Sequence, residues 1–285
     1  MEMLLKSIRT ECGMSQEEFA KAIGGTFASV NRWENGHHTP SRLAQRRIIE
    51  LCSEKGISLS DLVLSNIAIK TEVETDSDRT LLFHGSKSGI TGQIAPISRE
   101  HCDFGAGFYM GTNPLQPLTL ICDFDESKFY AVSIPSKGLL TLEIPADLDW
   151  AFLVAFHRGR MEKVKGTALY NRFAKMTAES DLIIGSIAND RMFYVLDNFF
   201  LGNITDVALV QSLSALQLGK QYVAVTQKAC NQVRIEREIP LSYLEKECFK
   251  SLSQKNRDQG ISLANDICKI HRREGRFFDE ILDEA

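Results

Sequence analysis

The side chains best suited to chemistry fall in four short runs. Phe83-His84-Gly85-Ser86 ends an apolar segment with an imidazole, a glycine and a hydroxyl. Asp103-Phe104-Gly105-Ala106-Gly107-Phe108-Tyr109 places a carboxylate and two glycines before an aromatic pair. Asp181-Leu182-Ile183-Ile184-Gly185-Ser186-Ile187-Ala188-Asn189-Asp190-Arg191 ends on a carboxylate beside a guanidinium, and Lys220-Gln221-Tyr222 opens the last apolar run. An imidazole exchanges a proton or accepts a hydrogen bond near neutral pH. Glycines let a ligand approach the backbone, and tyrosine offers a flat stacking surface. Arg191 could clamp a pyrophosphate and Asp190 take a proton, or the two could form a loop ion pair. Taken singly, His84 reads as the end of a strand and Tyr109 as core; together, at this spacing, they read as a ligand site.

Several mechanisms lose their usual signatures. The chain has no GxxxxGK[ST], GxSxG, HExxH or GxGxxG run. His101 and Cys102 lie beside Asp103 without a second pair at metal spacing, so they read as loop residues and no metal is expected. Seven scattered cysteines, without a CxxC, argue against a disulfide framework and for a reducing, cytoplasmic setting.

The elements that must carry these residues divide near residue 70. Residues 1–66 have helical periodicity with repeated cap signals: Ser15 to Glu18 is a capping box, Gly24-Gly25 stops that helix, and Thr39-Pro40 starts the fourth. A short fifth helix covers about 58–64. Residues 67–79 are polar and charged and read as a linker. From Thr80 to 240, short β-type runs (TLLFHGS, KFYAVSIP, GLLTLEIP, DLIIGSI, KQYVAVT) alternate with helical stretches, and 241–285 is a charged helical extension. With 33 Lys and Arg against 37 Asp and Glu, the net charge of −4 excludes a globally basic nucleic-acid coat. No apolar run is long enough to predict a membrane span.

The third N-terminal helix carries small polar side chains. Thr26, Ser29, Asn31 and Arg32, with Gln16 on the helix before, are types that hydrogen-bond base edges or phosphates. Ile8-Arg9, Met14-Ser15-Gln16-Glu17-Glu18-Phe19-Ala20, Val30-Asn31-Arg32-Trp33-Glu34-Asn35-Gly36 and Pro40 resemble the lambda-repressor/Cro-like (Xre) helix-turn-helix family over about 65 residues. The resemblance implies a DNA operator as partner, and a homodimer on paired half-sites. Eight basic against eight acidic residues in 1–66 keep nonspecific affinity modest, with Arg42, Arg46 and Arg47 as a local phosphate-facing patch. The alternative is a helical bundle used for protein docking. Trp33 reads as core.

The His84 and Tyr109 runs, with Asp181–Arg191 and Lys220–Ala229, resemble the ADP-ribosyltransferase fold over about 80–235. The match is to the diphtheria-toxin-like class, whose signature is His, Tyr and then Glu, and closer still to an uncharacterised bacterial family. The resemblance implies an α+β domain of two small packed sheets with flanking helices, and NAD bent into the cleft between them. It implies that His84 bonds a ribose hydroxyl, that Gly85 backbone holds the nicotinamide amide, and that Tyr109 stacks on the ring. Ser86, Phe104, Gly107, Asp190 and Arg191 complete the cofactor-binding set. Gln221 stands where the signature has Glu; an amide can position a hydroxyl but cannot serve as a base. Gln116-Pro117 implies that the helix there starts late. Two functions follow: a DNA-binding NAD-dependent ADP-ribosyltransferase, toxin-like or defence-linked, with an unknown acceptor, or a transcriptional regulator whose inactive second domain senses NAD.

Overall fold

The computed structural model describes residues 1–98, 101–187, 190–215 and 219–284, the side chains of residues 190–193, 256, 257 and 260 excepted. Five helices form the N-terminal unit: α1 (Glu2–Glu11), α2 (Gln16–Ala22), α3 (Phe27–Glu34), α4 (Arg42–Glu54) and α5 (Leu59–Thr71). Ser15 caps α2 with both halves of the capping box in place. Thr26 caps α3, and Ser41 caps α4. Pro40 is therefore not the first residue of the fourth helix. It precedes the cap, because a serine oxygen can satisfy a free helix N–H and proline has no such group. Leu4, Leu5, Ile8, Phe19, Val30 and Ile48 are the buried centre, with Trp33 half-buried against it.

Two of the expected boundaries shift. α5 runs on to Thr71, with Asn66 and Ile67 buried, so the segment between the units is 72–78 rather than 67–79. Residues 241–285 are also more than an extension. α11 (Gln227–Cys230) is short, but α12 (Tyr243–His271) is a 29-residue helix, about 43 Å long at helical rise. Its first half sets Leu244, Cys248 and Phe249 into the apolar cluster of the N-terminal unit, and Ala264 enters the core of the second. Glu245 fixes this junction, accepting from Asn66 (3.1 Å), Lys70 (2.6 Å) and the N-cap Ser242. Arg42 reaches Asp125 (3.1 Å) and lies over the Tyr243 ring, so this part of the expected phosphate patch faces the second unit instead.

The second unit is built on β1 (Arg79–Ser86), β2 (Phe108–Gly111), β3 (Lys128–Pro135), β4 (Thr141–Glu143), β5 (Leu182–Ser186), β6 (Lys220–Ala224) and β7 (Arg234–Pro240). They form one mixed seven-stranded sheet, ordered β4-β5-β6-β2-β1-β3-β7, in which only β4 and β5 are parallel. The expectation of two packed sheets is corrected here: the halves β4-β5-β6-β2 and β1-β3-β7 are joined edge to edge. The join is narrow, since β1 and β2 share the single register pair Phe83 and Gly111, while β1 pairs with β3 along its whole length. Charged residues at 234, 236, 237 and 238 hide β7 from a pattern reading; charge is what blunts an edge strand.

Helices cover one face of each half. α7 (Leu148–His157), α8 (Ala168–Ala178), α9 (Asp190–Phe200), α10 (Asp206–Ala215) and α13 (Phe278–Asp283) bury Trp150, Phe152, Phe173, Phe199 and Phe278 against the β5-β6 side. α6 (Leu115–Ile121) and α12 cover β1 and β3. α6 does not start late: it contains Gln116 and Pro117, the proline in the first turn where a missing N–H is harmless.

Candidate functional site

β1 and β2 separate at their most unusual residue. In the register set by Phe83 and Gly111, Gly85 would face Tyr109, yet the Tyr109 carbonyl bonds the His84 ring at 2.7 Å to Nδ1. The imidazole takes the place of a ladder bond and wedges the halves apart. Because a carbonyl only accepts, Nδ1 carries the proton and Nε2 is left as an acceptor. Burial lowers the His84 pKa, against the pull of the Tyr109 bond, which favours this neutral form. The ring is held by stacking on Phe108, with centroids 4.2 Å apart.

Past the wedge, His84 to Ser86 have register partners on β3 only, so among the described residues the other backbone edge of β1 pairs with no strand. A 21-residue connection, 87–107, joins β1 to β2 here, with no helix or strand among its described residues; loops of that length are commonly functional. Gly85 offers only its backbone, because its Cα side is closed by α6: a Cβ there would run into Pro117 O and Ile121. Ser86 ends β1 half-buried beside it.

The glycine-rich run is anchored rather than open. Phe104 is fully buried beneath Gly185, and Gly107 lies so close to Val223 and the Ala224 carbonyl that no side chain fits. Phe104 thus presents no side chain to a cofactor and Gly107 has none, so both support the loop, and any place either holds in the binding set is through its backbone. Gly105, at φ +74, lies against His157. Tyr109 donates its hydroxyl to Gly105 O (2.8 Å) and accepts from Phe104 N (3.1 Å). Burial raises its pKa far above the ordinary value. Its ring is half-buried on the β5-β6 side, opposite to that of Phe108 and His84. The hydroxyl is thus committed to the loop, and a ligand can reach only the ring.

Gln221 is buried on the same face as Tyr109. Its Nε2 donates to Ser186 O (3.0 Å) and lies 3.5 Å from Asp103 Oδ2. Asp103 in turn accepts from Arg158 Nη2 at 2.7 Å. Burial pushes the Asp103 carboxyl up, with Arg158 and Gln221 pulling it back. The structure therefore brings together Tyr109, Gln221, Asp103 and Arg158, and puts the His84 ring on the other face of the sheet. Arg158 and the pairing of Asp103 with Gln221 escape a sequence reading, since 55 residues separate Asp103 from Arg158 and 118 separate it from Gln221. α9 begins at Asp190, but the side chains of Asp190 and Arg191 lie outside the described residues. Among the described residues no cluster of His, Cys, Asp and Glu could hold a metal.

The N-terminal site is tied by a comparable chain. Arg9 forks onto Glu34 (2.6 and 3.1 Å), Gln16 Nε2 donates to Glu34 (2.7 Å), and Asn31 Nδ2 donates to Gln16 Oε1 (3.3 Å). Burial raises the Glu34 pKa, but Arg9 and Gln16 outweigh it and hold the group below its usual range. Thr26 gives its oxygen to Ser29 N and touches the Ser29 hydroxyl, so its first duty is the cap. Ser29 is half-buried and Arg32 exposed, without an ion-pair partner among the described residues. Gln16 and Asn31 set the angle between α2 and α3, and Arg32 is the free guanidinium on the helix that would read bases.

A family model described as helix-turn-helix matches residues 5–62. One described as protein of unknown function (DUF3990) matches residues 80–235, more than half of the chain. No curated protein and no solved structure matches.

Proposed function

We propose, from the premise that the chain belongs to the DUF3990 family of proteins of unknown function, that it is a DNA-binding protein whose second domain uses NAD to transfer ADP-ribose. The helix-turn-helix match supports the DNA-binding half of this reading. The NAD half rests on the wedge: His84 leaves Nε2 as an acceptor suited to a ribose hydroxyl, beside the backbone edge of Gly85 and Ser86 that pairs with no strand among the described residues. An amide such as that of nicotinamide has both a donor and an acceptor, the complement of an open strand edge.

In the reaction, the bond from the nicotinamide nitrogen to the ribose C1′ breaks, and nicotinamide leaves with the electron pair. A lone pair on the acceptor forms the new bond to C1′ and its proton passes to solvent. The chain's own residues hold and orient. His84 accepts from a ribose hydroxyl, the β1 edge holds the carboxamide, and Tyr109 keeps the 103–107 loop closed on β6.

A second reading, an NAD sensor without transfer, is favoured by Gln221, which has no carboxylate to activate an acceptor. Labelled NAD incubated with the protein and mixed bacterial protein and nucleic acid separates the two. Transfer that is lost in both His84→Ala and Tyr109→Ala supports the transferase. NAD binding without nicotinamide release or transfer selects the sensor, and no binding at all rejects both.

A further inference from the structure

The glutamine at the third signature position comes with a compensation. Both register partners of Gln221, Gly111 on β2 and Gly185 on β5, lack side chains, so no Cβ from either neighbour stands beside it. Its amide nitrogen faces two acceptors, the Ser186 carbonyl and the Asp103 carboxylate. Neither can donate while Asp103 is ionised against Arg158, so the amide has one satisfactory orientation. In that orientation the nitrogen points inward, and Oε1 has no partner among the described residues. A carboxylate at 221 would place two like charges within about 3.5 Å, which cannot both stay ionised.

We infer that Asp103 is a positioning residue for Gln221: with Ser186 O it fixes the amide so that Oε1 is presented to a hydroxyl-bearing ligand, which in the NAD reading is a ribose hydroxyl on the Tyr109 face of the sheet, other than the one His84 accepts from. The carboxylate of the signature has in effect moved one residue away, from the strand to the loop. What the site keeps is an acceptor at the strand position. What it gains is a neutral residue there, with the negative charge of Asp103 balanced by Arg158. Asp103 does not itself touch the ligand; it acts through the amide. This inference rests on the NAD reading for the identity of the ligand, but its geometric core, the coupling of positions 103 and 221, stands apart from it.

The test uses the full chain and four proteins: wild type, Gln221→Glu, Asp103→Asn, and the exchanged pair Asp103→Asn with Gln221→Glu. Two quantities are measured at pH 8, the thermal midpoint and the affinity for NAD by calorimetry. Gln221→Glu should lower the midpoint and weaken NAD about tenfold, as expected when a buried hydrogen-bond set is broken. Asp103→Asn should weaken NAD as well, by freeing the amide to turn. The exchanged pair should recover most of both losses, because one carboxylate and one amide again face each other. A merely structural role for Asp103 predicts losses that add, and an exchanged pair no better than the worse single variant would overturn the inference. So would a Gln221→Glu protein with wild-type midpoint and affinity. If wild type binds no NAD, the proposed function fails, and the midpoints alone still decide whether the two positions are coupled.

Discussion

The two units of this protein solve one problem with the same three parts. In the N-terminal unit Arg9 pins Glu34, Glu34 takes an amide hydrogen of Gln16, and the Gln16 oxygen receives Asn31. In the second unit Arg158 pins Asp103, Asp103 and Ser186 O face the amide nitrogen of Gln221, and the Gln221 oxygen has no partner among the described residues. Each chain sets a guanidinium against a buried carboxylate, and that carboxylate against an amide. The difference is at the end. The first chain terminates at the half-buried Asn31, which is itself bonded to Gln16, and links α2 to α3. Among the described residues the second terminates at an open acceptor, the end at which the proposed ligand would bind.

If the chains are equivalent at their base, removing either arginine should be the most damaging change. Glu34 and Asp103 are 5% and 8% exposed, and a buried carboxylate that loses its cation costs about 3 kcal/mol or more. Arg9→Ala and Arg158→Ala should each lower stability by about that amount in urea unfolding. Arg9→Ala should also abolish operator binding. A neutral result for Arg158→Ala, with a severe one for Arg9→Ala, would break the parallel.

The carboxylates differ in the direction of titration, which gives a sharper contrast. Glu34 is held below its usual range, so its stabilising contribution is present above the unfolded-state pKa. That contribution is lost as pH falls through the lower folded value. Asp103 is pushed above its usual range, so folding there is favoured at low pH, and that advantage fades as pH rises through the folded value. Hydrogen exchange followed from about pH 5 down to about pH 2 should therefore show amides of α2 and α3 losing protection, while those of β6 hold theirs. Loss in the reverse order would place the stronger ion pair in the second unit.

How much of this was legible in the sequence follows the same division. Ser15, Thr26 and Trp33 act within a few residues of their partners, so caps, turns and periodicity placed four helices and the polar face of α3. The fifth helix runs past its local signal, because Asn66 and Lys70 are polar and find their partner in Glu245, more than 170 residues on, which buries Asn66 and half-buries Lys70. In the second unit the apolar strands were visible, but the sheet was read as two, since the single pair of Phe83 with Gly111 leaves no local signal. The glycine-rich run points Phe104 and Gly107 toward a cofactor, and no local signal shows that Phe104 packs under Gly185 and Gly107 against Val223. The role of Asp103 has no local signal either: its partners are distant in the chain.

A change at the free end of the N-terminal unit should separate recognition from folding. Arg32 is exposed and outside the Arg9 chain. Arg32→Ala should leave the thermal midpoint unchanged and weaken binding by about 1–3 kcal/mol if that side chain reads a base. The comparison needs an operator first recovered with the wild-type protein from random duplexes. Equal affinity of both proteins for that duplex would move recognition to other residues of α3, Ser29 first among them.

The smallest effect tests the ends of the two chains against each other. Asn31→Ala removes the donor to Gln16 Oε1 and leaves that oxygen open, as Gln221 Oε1 is. Gln16 and Asn31 are only half-buried, so water can take the place of the lost donor. The stability cost should be about 0.5–1 kcal/mol, far below that of Arg9→Ala. Operator binding should fall further than stability does, because Asn31 lies on α3 beside Arg32. That gradient, severe at the arginine and mild at the amide, is what a chain anchored at its charged end predicts. A loss for Asn31→Ala as large as for Arg9→Ala would mean that the amide is no mere terminus. The open oxygen of Gln221 would then be a source of instability that some part of the second unit must offset.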